Sequence, residues 1–405
     1  MKIYLVGGAV RDMVLNKTPH DKDYVVFGAT RKEMLKAGFL QVGKHFPVFL
    51  HPVTQNEYAL ARKEEKIGDK HTDFRFVFTP DITPEEDVVR RDFTCNALLF
   101  DEEKNELIDL VGGINDIKNK ILKHINSEHF IEDPLRVLRM CRFAAKLNFT
   151  IAPETMNLAR KMVNDGMLTH LTPERIWGEM TAALNESNFA LFILSMRDCG
   201  ALEALLPEIS RLWKIPERTD YHPEGNSGAH TILTLKQAEN LSARIKFALL
   251  LHDIGKTLTP SDILPSHHGH DKKASPLIKN ICRRLKIPND YRDFALMAAA
   301  QHMQIRNVTD MKKRRLLTML FDICGLKRRQ DLADYIKLCR CDMLGRMRDI
   351  PESERQYFRR SAMRLIINFK IQSKVKATDM PNFADISKDA AFAEKFFNYR
   401  TEKII

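Results

Sequence analysis

The spacing of apolar positions changes character along the chain. Up to about residue 125 they come in short runs rich in β-branched and aromatic residues, at 3–6, 24–27, 48–51, 58–61 and 97–100. Each run is bounded by turn-forming residues, which predicts strands. Beyond about residue 130 the spacing becomes helical, with Leu135, Leu138 and Cys141 as one stripe. Thr172-Pro173-Glu174 marks a helix start, a capping residue followed by proline at the first turn. Pro207, Pro216 and Pro223, with Gly225 and Gly228 nearby, make 207–227 the best candidate linker. The pattern predicts an α+β head over 1–130, a helical neck and body over 131–222, an all-α domain over 223–350 and a helical tail over 351–405.

Composition narrows the partner class. The 405 residues carry a formal charge of +11, which suits a polyanion, since Lys and Arg displace counterions from phosphates. A solvated basic surface is the plain alternative. The seven cysteines, at 95, 141, 199, 282, 324, 339 and 341, form no CxxC pair and sit in apolar or helical context. That reads as reduced, buried thiols and a cytoplasmic protein. The run Ile3-Tyr4-Leu5-Val6 is too short for a signal peptide, and no apolar run approaches the ~20 residues of a membrane span, so no membrane partner is expected.

Two features of the head point to phosphate chemistry. The first strand ends in Gly7-Gly8, and Ala9-Val10-Arg11-Asp12 opens a helix. Glycines let backbone N–H groups approach phosphate oxygens, a helix N-terminus adds partial positive charge, and Arg11 adds a donor fork. A Gly-Gly turn by itself is weak evidence. Asp21-Lys22-Asp23 then leads into a strand, where positions two apart share a face. Like charges so placed repel unless a cation lies between them, and Mg²⁺ prefers few carboxylates plus phosphate oxygens and water.

Together these residues resemble the first motif of the class II tRNA nucleotidyltransferase and bacterial poly(A) polymerase superfamily. Further segments follow in that superfamily's order. Arg90-Arg91-Asp92-Phe93-Thr94-Cys95-Asn96-Ala97 is similar to its RRDxxxNA segment, and Asp109-Leu110-Val111-Gly112-Gly113-Ile114-Asn115-Asp116 to its DxxGGxxD turn. Glu132-Asp133-Pro134-Leu135-Arg136-Val137-Leu138-Arg139 is similar to its EDPLRxLR helix, and 172–179 to its last helix. The resemblance implies a polymerase-β-like catalytic fold and template-independent addition of C, C and A from CTP and ATP to a tRNA 3′ end.

Such a transfer needs a 3′-hydroxyl to attack an α-phosphate, so the protein's work is positioning and charge neutralisation. Asp21 and Asp23 are the candidate catalytic residues and Mg²⁺ ligands, with Glu57 a weaker third carboxylate that reads equally as a half-exposed strand residue. Gly8, Arg11 and Arg91 are candidate nucleotide contacts, and Asp92 is expected to orient its surroundings. Asp133, Arg136 and Arg139 recur three apart, which predicts one helical face. Cytosine and adenine both offer an amine donor beside a ring-nitrogen acceptor. Asp133 can accept from the first and Arg136 can donate to the second, whereas uracil and guanine put a carbonyl against the carboxylate. The resemblance assigns base selection to this pair. An ordinary surface ion pair is the alternative, and Arg139 is a candidate phosphate or ribose contact.

The second half concentrates histidines: His230, His252, His267, His268, His270 and His302. Leu250-Leu251-His252-Asp253-Ile254-Gly255-Lys256 resembles the HD phosphohydrolase superfamily. That implies a divalent metal on His230, His252 and Asp253, with a closing carboxylate for which Asp342 is the candidate. Imidazole with carboxylate suits Ni²⁺, Mn, Fe or Zn better than Mg²⁺ alone, and Ni²⁺ is the expected ion. The family's bifunctional bacterial form links this domain to phosphatase, 2′-nucleotidase and 2′,3′-cyclic phosphodiesterase activities. Basic clusters at 312–315, 327–329 and 355–360 fit an RNA backbone or a solvated helix face alike. The expected assembly is a monomer or weak homodimer.

Three other readings remain at this level. A poly(A) polymerase shares the head, but it commonly carries a long basic C-terminal extension and a Gly-Arg-Arg-Phe-type signature where this chain has Gly43-Lys44-His45-Phe46-Pro47. An HD phosphohydrolase with an inactive RNA-binding head is disfavoured by the Asp21/Asp23 pair. Enzymes adding only CC or only A share the same motifs.

Overall fold

The β-branched runs near the N-terminus pair into a single seven-stranded sheet. The computed structural model describes residues 1–19, 21–42, 47–66, 74–381, 383 and 391–405; the signature comparison at 43–46 lies outside them. Strands β1 (Lys2–Val6), β2 (Asp23–Phe27), β3 (Leu40–Val42), β4 (Val48–Leu50) and β5 (Glu57–Leu60) are followed by a separate hairpin of β6 (Lys63–Lys66) and β7 (Phe74–Val77). β8 (Leu99–Asp101) and β9 (Glu106–Ile108) complete the large sheet, in the order β3-β4-β5-β2-β1-β8-β9. Within it β2 runs parallel to β5 and antiparallel to β1. Side-chain alternation sends Val25 and Phe27 into one apolar layer with Val6, Val88 and Leu99. Val26 faces a second layer with Met34, Phe49 and Leu60. A short parallel pair, β10 (Ile121–Leu122) with β11 (Thr150–Ile151), completes the strands among the described residues.

The helices of the first unit are α1 (Gly8–Val14), α2 (Arg31–Lys36), α3 (Pro84–Val89), α4 (Gly113–Lys118), α5 (Ser127–Glu132), α6 (Leu135–Leu147) and α7 (Pro153–Asn164). Of the stripe expected on α6, Leu138 and Cys141 are buried and Leu135 is half-buried. After Ile151 every described element is helical. These are α8 (Pro173–Asn185), α9 (Phe189–Asp198), α10 (Ala201–Leu205), α11 (Pro207–Ser210), α12 (Ser227–Lys236), α13 (Ala243–Leu251), α14 (His270–Arg284), α15 (Asn289–Gln301), α16 (Lys313–Cys324), α17 (Arg329–Leu344), α18 (Glu352–Gln372) and α19 (Phe392–Glu402). The α+β head and the helical course after Ile151 follow the pattern, whereas β11 falls inside the stretch expected to be helical from residue 131. Among the described residues no helix is long and apolar enough to cross a membrane. All seven cysteines are buried.

The chain divides into two units, Met1–Thr172 with Asp198–Ala201, and Pro173–Arg197 with Leu202–Ile405. The segment expected to be a linker is built into the second unit instead. Pro207 occupies the first turn of α11, where its missing N–H costs nothing. Pro216 bridges to Asn226, and Glu217 is buried against Ser227 and Lys256. Prolines here open helices and turns within a packed body.

Candidate functional site

The head places its carboxylates at one end of the sheet. Gly7 takes φ 68° at the β1–α1 junction, a conformation that side chains with a Cβ rarely adopt. β2 begins at Asp23, so Asp21 lies before the strand and not on its face, which corrects the expected strand pairing of the two. They still interact. Partial burial, then the like charges of Glu57 and Asp21, push the Asp23 carboxyl above its usual range, while Arg91 pulls it down. Glu57 is the register partner of Asp23 across the parallel β2–β5 pair. Lys22 turns the other way, with Nζ 3.0 Å from Glu102 Oε1. Three carboxylates with one nearby guanidinium form an arrangement that a divalent cation would neutralise.

The arginine-rich segments form the frame around this end. Arg11 is 3 % exposed. Its Nη1 donates to Asn96 Oδ1 at 2.7 Å, and its Nε and Nη2 donate to Asp12 at 3.0 and 2.9 Å. Its fork thus ties α1 to the Arg90–Ala97 region rather than projecting outward. Asp87 is fully buried between Arg90 and Arg91, and Arg91 donates to it through Nε and Nη2 at 3.1 and 2.8 Å. Burial alone would raise the Asp87 carboxyl, but Arg91 and Arg90 outweigh it and hold it below its usual range. Asp92 accepts from the Phe93 N–H at 2.8 Å, from Asn96 Nδ2 at 3.3 Å and from the Arg139 fork. It orients its neighbours, as the sequence suggests, and it engages Arg139.

The EDPLRxLR segment departs from the expected helical face. α6 begins only at Leu135, and Asp133 is extended at φ −120°, ψ 105°. Pro134 is the reason, because its ring disfavours helical geometry in the residue before it. Asp133 instead caps the helix, its Oδ1 accepting from the Leu135 N–H at 3.0 Å. Arg136 donates to the carbonyls of His129 and of Arg90, the latter at 2.9 Å. Both residues are half-buried, and Arg136 is joined to the RRD segment through the Arg90 carbonyl.

The second unit brings its four predicted ligands together from three helices. His230 lies in α12, His252 and Asp253 follow α13, and Asp342 lies in α17. All are 5 % exposed or less. His230 Nε2 is 3.0 Å from Asp342 Oδ1, and His252 Nε2 is 3.3 Å from Asp253 Oδ2 and 3.8 Å from Asp342 Oδ1. Burial alone would lower His230, but Asp342 and Glu224 push it up to about 9. Burial would raise Asp253 and Asp342. Lys256 with His252 holds the first well below its usual range, and His230 with Arg306 the second. His252 Nε2 is buried with no hydrogen-bond partner. Two imidazoles and two carboxylates with an orphaned ring nitrogen fit a divalent cation, which binding would exchange for protons. Glu224 Oε1 sits 2.9 Å from His230 Nδ1 and fixes which nitrogen faces the cluster.

The sequence left His270 and His302 without a role, yet both point at Asp253, from 3.4 and 3.5 Å. They come from α14 and the end of α15, and only the fold joins them to the His-Asp dipeptide. The one local signal is Gly255. A Cβ there would lie 1.9 Å from the His270 carbonyl oxygen, so glycine is what lets α14 start against this turn. The cluster opens to a cavity of about 300 Å³ whose lining includes Tyr221, Lys256, His302, Met303 and Arg306.

Comparison with known proteins places both halves. The Poly A polymerase head domain matches residues 3–123, the "Probable RNA and SrmB- binding site of polymerase A" matches 148–212, and the HD domain matches 228–345. The "Multifunctional CCA protein" of Acinetobacter baumannii (strain AYE) is 42% identical over 411 residues, covering 100% of this chain and 97% of its own length. Its namesake in Tolumonas auensis is 46% identical over 364 residues, covering 87% and 88%. Among solved structures, the Bacillus stearothermophilus CCA-adding enzyme in complex with CTP superposes with a TM-score of 0.68 at 23% identity, covering 99% of this chain and 88% of that one. The Thermotoga maritima CCA-adding enzyme complexed with a tRNA gives 0.60 at 19%, covering 99% and 87%, and both likenesses are of fold. By identity along its whole length, this chain belongs to the multifunctional CCA protein family.

Proposed function

We propose that this protein adds C, C and A from CTP and ATP to the 3′ end of tRNA, and that its HD domain hydrolyses phosphoesters. The observation that carries the first part is the convergence of Asp21, Asp23 and Glu57 beside Arg91 at the end of the β2–β5 pair. The names of the full-length relatives support it. Asp21 and Asp23 would hold Mg²⁺, which when bound activates the attacking hydroxyl and stabilises the leaving oxygen. Gly8 and the start of α1 would receive phosphate oxygens, and Arg91 would steady the triphosphate. Arg11 and Arg139, with their forks on Asp12, Asn96 and Asp92, would act by fixing this frame around the nucleotide. Asp133 and Arg136 would select cytosine and adenine by accepting from the amine and donating to the ring nitrogen.

In the HD domain His230, His252, Asp253 and Asp342 would hold a transition metal, read as Ni²⁺, which when bound polarises a phosphoryl group and acidifies water. Arg306, lining the cavity with Nη2 3.5 Å from Asp342 Oδ2, would draw in the phosphate. Phosphatase, 2′-nucleotidase and 2′,3′-cyclic phosphodiesterase activities are the proposed reactions. The seven buried thiols suit a cytoplasmic setting.

A second reading, poly(A) polymerase, is favoured by the family name that the head alone matches. Incubating the protein with tRNA lacking its CCA end, Mg²⁺ and each labelled nucleoside triphosphate, singly and together, separates the readings. Growth that stops after three nucleotides supports CCA addition. A long A tail supports poly(A) synthesis, and no incorporation refutes both.

A further inference from the structure

Three arginines gather on one side of the HD domain, and two carboxylates pair with them. Arg306 lines the cavity, with Nη2 3.5 Å from Asp342 Oδ2. Arg346 and Arg348 lie in the turn between α17 and α18 and share Glu354. Arg346 Nη1 is 2.9 Å from Glu354 Oε1, and Arg348 Nη2 is 2.8 Å from Glu354 Oε2. Asp342 is also a candidate metal ligand. Once it is committed to an ion, Glu354 alone is left to balance three guanidinium charges.

The turn is tied to the same cluster. Glu224 accepts from the Met347 N–H through Oε2 at 3.2 Å, while its Oε1 lies 2.9 Å from His230 Nδ1. Gly345 packs on α12 so closely that a Cβ would lie 2.7 Å from the Thr234 nitrogen. The Arg346 side chain beside it is only 3 % exposed. Burial, then the like charge of Arg306, hold its guanidinium below its usual range. Yet Arg346 Nε and Nη2 are buried donors with no hydrogen-bond partner, and so is Arg348 Nε. Unfilled donors on a buried charged group are costly and call for an acceptor. A guanidinium fork matches the oxygens of a phosphate.

We propose that Arg346 and Arg348 form a second anion subsite of the HD domain, which holds a phosphate group other than the one hydrolysed. Arg306, on the cavity wall, is left to meet the scissile phosphate. The substrate class is then a nucleotide that carries a further phosphate, as the terminal residue of an RNA strand does on its 5′ oxygen. This rests on the reading of the HD domain as a phosphohydrolase and adds the part of the substrate that is not cut.

The test compares Ni²⁺-dependent release of inorganic phosphate from adenosine 2′-monophosphate and adenosine 2′,5′-bisphosphate by the full-length protein. The two differ by one 5′-phosphate, and adenosine 5′-monophosphate is the expected second product from the bisphosphate. kcat/KM should favour the bisphosphate by about tenfold or more, the worth of a hydrogen bond to a charged group. Arg346→Met and Arg348→Met should each bring that ratio near one, chiefly by raising KM for the bisphosphate. The ratio is taken within one preparation, so a partly unfolded variant does not distort it, and Arg348 is the less buried of the two. Equal turnover of both substrates by the parent would assign the donors to ordered water and overturn the subsite, leaving the phosphohydrolase reading in place. A preference that survives in both variants would overturn it too. No phosphate from either substrate would overturn the phosphohydrolase reading and the subsite together.

Discussion

Asp23 and Glu57 stand side by side at the start of two parallel strands, β2 and β5, and the charge of Glu57 raises the cost of charging Asp23. A cation between or beside them removes that cost. Glu57→Gln is therefore expected to raise the Mg²⁺ concentration needed for half-maximal nucleotide incorporation by about tenfold, the usual size for a neighbour that tunes a metal site. Titrating Mg²⁺ in an incorporation assay reads this directly. An unchanged requirement would make Glu57 a strand-surface residue.

Asp87 supplies a pH dependence with a definite sign. Its carboxyl is held below the usual value near 3.8 in the folded protein. Its stabilising contribution is complete above that value and is lost as pH falls through the lowered folded one. Removing the charge with Asp87→Asn leaves Arg90 and Arg91 without their shared partner and should cost about 3 kcal/mol near neutral pH. Denaturant unfolding of both proteins across pH should show the gap narrowing only below about pH 4. A gap that widens in acid would contradict the ion-pair account.

The cap at Asp133 separates a structural role from a selective one. Asp133→Ala removes the acceptor from the Leu135 N–H, worth about 1 kcal/mol of stability. If the carboxylate also reads the base, incorporation of U and G relative to C and A rises by about tenfold or more. Asp133→Asn keeps an acceptor for the cap and should restore stability without restoring selectivity. Stability loss with selectivity intact in the alanine variant would confine Asp133 to capping.

Gly255→Ala puts a methyl group where the His270 carbonyl already lies. The turn and the start of α14 must separate, at a cost of about 1–3 kcal/mol. Ni²⁺ affinity of the HD cluster should fall, because His252, Asp253 and His270 move apart, while nucleotide incorporation by the head persists. Calorimetric titration with Ni²⁺ alongside thermal unfolding tests this.

Much of the architecture was legible because the relevant signals are local. The runs at 24–27 and 58–61 became β2 and β5, since β-branched and aromatic side chains suit a sheet buried on two faces. β3, β6, β7 and β9 carry no comparable apolar run and were not anticipated. Spacing alone puts Asp133 on a helix, because spacing does not reveal that Pro134 expels its predecessor from helical geometry. A dipeptide and two separated residues point to the four candidate ligands of the HD cluster. His270 and His302 were not assigned, because their convergence on Asp253 depends on how α14 and α15 pack. The prolines between 207 and 227 misled for a similar reason, since proline opens helices as readily as it breaks them.

Under the proposed function, two independent metal-dependent centres share one chain. Asp21→Ala and His252→Ala, each assayed for nucleotide incorporation into tRNA lacking its CCA end and for Ni²⁺-dependent release of phosphate from a 2′-nucleotide, test this most directly. The expected result is loss of incorporation alone in the first variant and loss of hydrolysis alone in the second. Loss of both activities in either correctly folded variant would contradict it.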